Sequence, residues 1–419
     1  LDFLGAVDLL AGSRSPEFIM AKKEKTTQPY EVLARKYRPQ NFDDVVGQDH
    51  LIQTLKNAIT IDRVAHAYLF VGPRGTGKTS TARILAKALN CEKGPQENPC
   101  NNCDMCHEIT IGSSMDIIEI DGASNNGVEQ VREINENVRF MPSRARFKIY
   151  IIDEVHMLTT AAFNALLKTL EEPPEHVKFF FATTEGHKVP ATILSRCQRF
   201  DLRRIPTNLI VERLKEITKA EKIKADENAL IAVARGAEGG MRDAQSALDQ
   251  LISFQGKNIA EEDVLSVFGL VSHEAVSSIV TATLEGDVAT LIEAVQKYDE
   301  EGKDLQRLVV DLIDHFRNIL IYIHTQKTNL LIELTESQRE DIIKQAGLTD
   351  AGKVSRIADI LLQTEGKLRM ALSRRTTLEM ALIRCARSAL HASVDQILDE
   401  LNKLKQGLPL EDDSGKKKP

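Results

Sequence analysis

A chain of 419 residues is too long for one ordinary hydrophobic core, and at roughly 150 residues per domain it divides into two to four. A net charge of −7 excludes a protein that coats nucleic acid over its whole surface, and 5% aromatic residues with no Trp exclude a dedicated single-strand binder built on stacking platforms. No apolar run is long enough to span a bilayer and charged residues follow Met20, so neither an anchor nor a secretory signal is expected; the expected location is cytoplasmic, with no membrane partner.

Residues 1–19, with Gly12-Ser13-Arg14-Ser15-Pro16-Glu17-Phe18 ahead of Met20, read as an expression tag or cloning scar. From 28 to 206, short apolar runs alternate with amphipathic segments, and Tyr68–Val71, Ile117–Ile120, Ile149–Ile152 and Val177–Ala182 are the clearest strands. Such strands, buried on both faces and separated by helices, predict a parallel α/β sheet. From 207 to 269 strand signals vanish and helical periodicity takes over, broken by Gly236, Gly239 and Gly240, which predicts a small helical lid. From 270 to 404 the spacing is helical throughout: Val288, Leu291, Ile292 and Val295 share one face, as do Leu305, Leu308, Val309, Leu312, Ile313, Phe316, Ile319 and Leu320. These stripes read as the core of a helical bundle, with a face toward neighbouring subunits left open. A helix over Val394–Leu404 ends the fold, and residues 405–419 read as a disordered tail.

The chemistry starts at Gly72-Pro73-Arg74-Gly75-Thr76-Gly77-Lys78-Thr79, between an apolar strand and a helix. This is a phosphate-binding loop in its proper setting. Glycines let backbone N–H groups close on a triphosphate, the helix N-terminus adds partial positive charge, Lys78 reaches the β- and γ-phosphates, and the Thr79 hydroxyl binds Mg²⁺. A second strand, Lys148 to Ile152, ends in Asp153 and Glu154, suited to holding the Mg²⁺ shell and to polarising the attacking water, respectively. A third ends in Thr183 and Thr184, where a hydroxyl can feel the γ-phosphate from an adjacent strand. Arg242 opens a lid helix from which it can reach back over the nucleotide.

Four of the six cysteines cluster as Cys91, Cys100, Cys103 and Cys106 in a Gly-, Pro- and Asn-rich insert. Four thiolates complete a tetrahedral Zn²⁺ shell and leave no position for water, so the expected zinc is structural. His107 is surplus to the four sulfurs, and Cys197 and Cys385 read as apolar packing groups. Arg139, Arg144, Arg146 and Lys148 read as a solvated charged face, with a basic strip for a DNA backbone as the sharper alternative.

Taken together, these motifs resemble the tau/gamma family of bacterial DNA polymerase III clamp-loader subunits, ATPases of the AAA+ class. The resemblance is carried by Leu33-Ala34-Arg35-Lys36-Tyr37-Arg38-Pro39, Asp44-Val45-Val46-Gly47-Gln48, the cysteine insert after the phosphate-loop helix, Asp153-Glu154-Val155-His156-Met157-Leu158, Asn164 through Pro174, and Ser195-Arg196-Cys197. It implies an AAA+ domain with a zinc-binding insert, a lid, and a C-terminal helical collar that holds five subunits in a ring. It also implies that Ala34, Arg38, Pro39, Val45 and Val46 line the adenine and ribose side, that Thr183 or Thr184 is the first sensor and Arg242 the second, and that Arg196 is a finger entering the neighbouring subunit's ATP site. The implied partners are the delta and delta-prime subunits, copies of the chain itself, the sliding clamp and primer–template DNA; the implied cofactors are ATP, Mg²⁺ and Zn²⁺. Longer family members bind polymerase and helicase through an extension after the collar; the sequence stops at Pro419, which puts those two contacts in doubt, whether the short end is natural, frameshifted or a cloning boundary. Two rival readings fit the motifs less well. A delta-prime-like stator would have a degenerate phosphate loop, whereas Gly72, Gly77, Lys78 and Thr79 are intact; a helicase would need a second motor domain where the last third reads as helices only.

Overall fold

The structure is a computed structural model and describes residues 30–327 and 336–390. The expected tag, the helix over Val394–Leu404 and the tail lie outside the described residues.

The first body is a five-stranded parallel sheet of β1 (Ala67–Val71), β2 (Ile117–Asp121), β3 (Lys148–Asp153), β4 (Val177–Thr183) and β5 (Gln198–Asp201), in the order β2-β3-β4-β1-β5. β1 is buried along its whole length, as is β3 apart from Asp153, because helices cover both faces. Alternation divides the side chains: Tyr68, Phe70, Ile149, Ile151 and Phe180 face one helical layer, and Leu69, Val71, Tyr150, Ile152, Phe179 and Phe181 the other. Aromatic contacts such as Tyr68 with Phe180, ring centroids 5.7 Å apart, fill the first layer; Tyr150 with Phe179, at 5.4 Å, fill the second.

β5 escapes the hydrophobic pattern because it is a short edge strand of sequence Gln-Arg-Phe-Asp with three of its four residues exposed. The lid region also departs from expectation. Among the helices Thr207–Glu221, Glu227–Gly236, Met241–Gln255 and Glu261–Val267 runs a parallel pairing of Lys224–Ala225 with Asn258–Ile259, too short to leave any period in the sequence. The lid has its own core, around Ile210, Leu214, Leu230, Val233 and Leu248. Leu33, from the short helix Leu33–Lys36, is part of that core although it precedes the sheet in the chain.

Six further helices occupy the described C-terminal residues, from His273–Glu285 to Arg374–Leu390. Their starts obey capping chemistry: Ser272, Asp287, Asp304 and Asp350 each accept a backbone N–H from the first turn. The apolar stripes along Val288–Glu300 and Leu305–Thr325 turn inward, with Leu291, Val295, Leu308, Leu312 and Phe316 buried in one core, and Cys385 packs there too. Among the described residues no helix is long and apolar enough to cross a membrane.

The four basic residues 139, 144, 146 and 148 do not form one surface. Lys148 is buried with its Nζ donating to Asn137 O (2.8 Å), and Arg144 is paired with Glu108 at 3.0 Å. Nearby, Asp116 is 4% exposed and accepts the backbone N–H groups of Ser143, Arg144 and Ala145 at 2.7–2.9 Å, which pins the loop entering β3. Burial pushes the Asp116 carboxyl up, but the three N–H groups outweigh it and hold the group below its ordinary range. A depressed carboxyl stabilises the fold above its unfolded value, about 3.9, and loses that contribution as the pH falls through the folded value. Asp116→Ala should therefore cost about 3 kcal/mol at neutral pH by stranding buried donors, and urea titrations followed by circular dichroism should show the gap from wild type narrowing below about pH 4.

Candidate active site

The phosphate loop leaves β1 at the C-terminal edge of the sheet. A Cβ on Gly72 would lie 2.7 Å from Leu202 O, so this position passes directly against the chain leaving β5. Gly77, at φ +101°, caps the helix Lys78–Asn90 in the left-handed region. The N-terminal turn of this helix therefore faces the cleft with free backbone donors.

Inside the cleft the charged groups are already engaged with one another. Lys78 is 6% exposed and donates from Nζ to Pro73 O (2.9 Å). Burial lowers its pKa, against the nearby Glu154, Asp153 and Asp243 carboxylates, which raise it. The Thr79 hydroxyl donates to Asp153 Oδ2 at 2.6 Å, which joins the ends of β1 and β3 although β4 lies between those strands. Asp153 Oδ1 accepts the Glu154 N–H (2.9 Å), and Glu154 sits at φ +45°, ψ +47°, a left-handed conformation costing a non-glycine residue about 1–3 kcal/mol. Its Oε2 accepts the Thr184 N–H (3.1 Å) and hydroxyl (3.0 Å). Thr183 is fully buried; its hydroxyl accepts the Glu185 N–H and pairs with His156 Nδ1 at 2.9 Å.

The other walls come from the N-terminal segment and the lid. Ala34, Arg38, Pro39, Val45 and Val46 line the same pocket as Arg74, Gly75, Thr76, Gly77, Lys78, Thr79, Asp153, Glu154 and Arg242. Tyr37, Asp44, Ser80, Ile205, Arg213, Met241 and Gln245 line it as well. Sequence reasoning missed these. Arg213 and Gln245 lie on lid helices whose amphipathic pattern gives a polar residue no distinct signal; Tyr37 and Asp44 lie inside motifs already singled out. The lid meets the loop backbone to backbone: a Cβ on Gly75, itself at φ +75°, would lie 3.0 Å from Gly240 Cα and 2.8 Å from Asp243 Oδ2. Arg74 and Asp243 form an ion pair at 3.6 Å across this contact.

Of the predicted nucleotide-site residues, Gly72, Pro73, Thr183, Thr184 and Arg196 are not part of the pocket lining, Thr184 meeting it through its bonds to Glu154. Thr183 is linked to the pocket residue Glu154 through His156, whose Nδ1 lies 3.3 Å from Glu154 Oε2. Arg196 lies at the surface after the helix Ala191–Leu194, donating to Thr192 O (2.6 Å), Ser195 Oγ (3.0 Å) and Glu171 Oε1 (2.5 Å).

The four cysteines of the insert do come together. Their sulfurs all lie within 4.8 Å of one another, Cys100 and Cys106 at 4.0 Å, and none is in a disulfide. Tetrahedral zinc with Zn–S of about 2.3 Å needs sulfurs about 3.8 Å apart, so this donor set is compatible with zinc. The Asn102 backbone N–H helps hold the Cys100 thiol down to about 6, favouring thiolate, whereas burial pushes Cys106 up. His107 is exposed and outside the cluster. Burial raises the pKa of Cys197 and Cys385 to about 12, as befits packing groups.

A phosphate loop on a parallel sheet, a Thr–Asp pair at its floor and a helical lid closing on it define an ATPase of the AAA+ class. Three family models match in succession: "DNA polymerase III, delta subunit" over residues 47–206, "DNA polymerase III clamp loader subunit, ATPase lid domain" over 209–257, and "DNA polymerase III subunits gamma and tau domain III" over 259–401. The chain is 43% identical to DNA polymerase III subunit tau of Bacillus subtilis, covering 90% of this chain and 68% of the relative. It is 41% identical to the tau subunit of Escherichia coli (85% and 55%) and 38% identical to the gamma subunit of Buchnera aphidicola from Acyrthosiphon pisum (85% and 98%). The chain thus spans roughly half to two thirds of these tau relatives and nearly all of that gamma relative. It belongs to the DNA polymerase III tau/gamma family of clamp-loader ATPase subunits.

The glycine contact between loop and lid is testable. Gly75→Ala should weaken nucleotide binding at least about tenfold, because the methyl group both strains the loop and pushes the lid away. Gly236→Ala, where an added Cβ meets nothing within 4 Å, should leave the affinity unchanged in the same fluorescence titration.

Proposed function

We propose that this chain is the ATP-driven motor subunit of a DNA polymerase III clamp loader, binding and hydrolysing ATP to open a sliding clamp and load it onto primed DNA. The observation that carries this reading is the hydrogen bond from Thr79 to Asp153 beneath an intact phosphate loop, which is the arrangement a motor needs and a stator does not. In it, Lys78 leaves Pro73 O to take the β- and γ-phosphates. Thr79 and Asp153 hold the Mg²⁺ that arrives with ATP and neutralises phosphate charge. Glu154 orients the attacking water. Thr184, bonded to Glu154, is the better placed of the two candidate first sensors, with Thr183 buttressing it through His156 and Glu185. Arg242 is the second sensor, and Ala34, Arg38, Pro39, Val45 and Val46 receive adenine and ribose.

Arg196 lies outside this chain's own nucleotide pocket and acts on the ATP of a neighbouring subunit. The partners follow: delta, delta-prime and further copies of this chain in a five-subunit ring, with the sliding clamp and primer–template DNA as the objects of work. In the proposed division, 28–206 is the ATPase domain with its zinc module at 91–106, 207–269 the lid and 270–404 the collar; the four cysteines hold a structural zinc, and the protein works in the cytoplasm. No nucleotidyl transfer is assigned to it.

The deciding experiment is steady-state ATP hydrolysis by the chain alone and then with loader partners, clamp and primed DNA. A low basal rate stimulated by the full set supports the motor; a rate indifferent to every partner overturns it. Lys78→Ala should abolish nucleotide binding, weakening it by at least about a hundredfold in a titration. Arg196→Ala should leave the dissociation constant within about twofold while the stimulated rate falls about a thousandfold, as for other fingers supplied in trans.

A further inference from the structure

The cysteine insert is joined to the nucleotide pocket by a hydrogen-bond network centred on a buried cation, in which Thr110 also donates to Gln40 Oε1 (3.2 Å). Lys87, near the end of the helix Lys78–Asn90, is 2% exposed. Its ammonium donates to Asn101 Oδ1 (2.8 Å), inside the insert between Cys100 and Cys103, and to Gln40 Oε1 (2.7 Å). Gln40 in turn donates from Nε2 to Arg38 O (3.0 Å), and the N–H groups of Gln40 and Asn41 bond to Asp44 Oδ2 at 3.2 and 3.0 Å. A second strand of the same network runs from Asn101 Nδ2 to Asn41 Oδ1 (2.6 Å). Arg38, Pro39 and Asp44, which this network holds, line the pocket.

Neither hydrogen-bond partner of Lys87 is charged, and a buried ammonium is costly without negative charge nearby. Charge on Cys106, Asp44 and Cys100 is close enough to favour it. Four thiolates around Zn²⁺ carry about two net negative charges, more than the same sulfurs carry with thiols among them. Filling the cluster therefore changes the field in which Lys87 holds Gln40.

We propose that Lys87 couples the metal insert to the nucleotide pocket, so that zinc at the cysteines and nucleotide at the phosphate loop bind with positive cooperativity. The loaded cluster fixes the ammonium, the ammonium fixes Gln40, and Gln40 fixes the wall from Arg38 to Asp44. This rests on the zinc and ATP readings above. Coupling of this kind is reciprocal: whatever factor zinc contributes to nucleotide affinity, nucleotide must contribute to zinc affinity.

The test measures that factor in both directions on the full chain. Metal content is first established by mass spectrometry, with about one zinc per chain expected. ADP affinity is then titrated on zinc-loaded and chelator-stripped protein, and zinc affinity by competition with a chromogenic chelator with and without saturating ADP. Both measurements should give the same factor of at least about fivefold, the lower end of common couplings. Lys87→Met should bring the factor close to one while both ligands still bind. A lysine that only filled space would, when replaced, weaken ADP binding equally in both metal states and leave the factor unchanged. If stripping unfolds the protein, the zinc competition alone decides; if Lys87→Met does not fold, Gln40→Leu removes the next link and should give the same result. A wild-type factor below about twofold, or a variant that keeps the full factor, overturns the coupling alone. Absence of zinc overturns the metal reading, and failure to bind ADP the nucleotide reading; either takes the coupling with it.

Discussion

The architecture depends on two backbones meeting where no side chain fits. The phosphate loop at Gly75 and the start of the lid helix at Gly240 approach so closely that a methyl group on either would collide with the other body or with Asp243. That contact turns a loop on the edge of a sheet into a closed pocket. Val46 and Ile205, which precede the lid in the chain, pack against the lid's core. The sheet and the lid otherwise keep separate main cores, and the exposed Arg74–Asp243 pair across the seam contributes little to holding them. Backbones in direct contact between bodies that keep separate main cores suit a machine whose parts shift against each other.

Within the pocket, the groups that chemistry would use are occupied by one another. Lys78 rests on Pro73 O, Thr79 on Asp153, and Glu154 on Thr184. In the proposed reading, nucleotide entry would exchange one set of hydrogen bonds for another. The strained Glu154 backbone belongs to the same economy: its left-handed conformation turns the carboxylate toward the end of β4, where Thr184 meets it.

What was legible in the sequence follows from what leaves a periodic or compositional trace. β1, β3 and β4 are apolar runs because helices cover both of their faces, and the phosphate loop, the acidic pair after β3 and the four cysteines are local motifs that act through neighbours in sequence. β5 was not legible because an exposed edge strand has no need of apolar residues, and neither was the pairing of Lys224–Ala225 with Asn258–Ile259 because two residues make no pattern. Lys148 read as surface by residue type, yet its ammonium is buried against Asn137 O; composition does not reveal where a long side chain ends. Arg213 and Gln245 reach the pocket, and Lys87 joins Gln40 to Asn101, only after folding brings together segments far apart in the chain.

The short helix Leu33–Lys36 has a consequence of its own. Leu33 is buried in the lid core and Lys36 and Tyr37 both grip Glu221 of the lid, so Ala34 travels with the lid; the phosphate loop travels with the sheet. In the proposed assignment a bound nucleotide would touch both bodies, Ala34 and Arg242 belonging with the lid and Val45 and the phosphate loop with the sheet, and it would act as a gauge block between them.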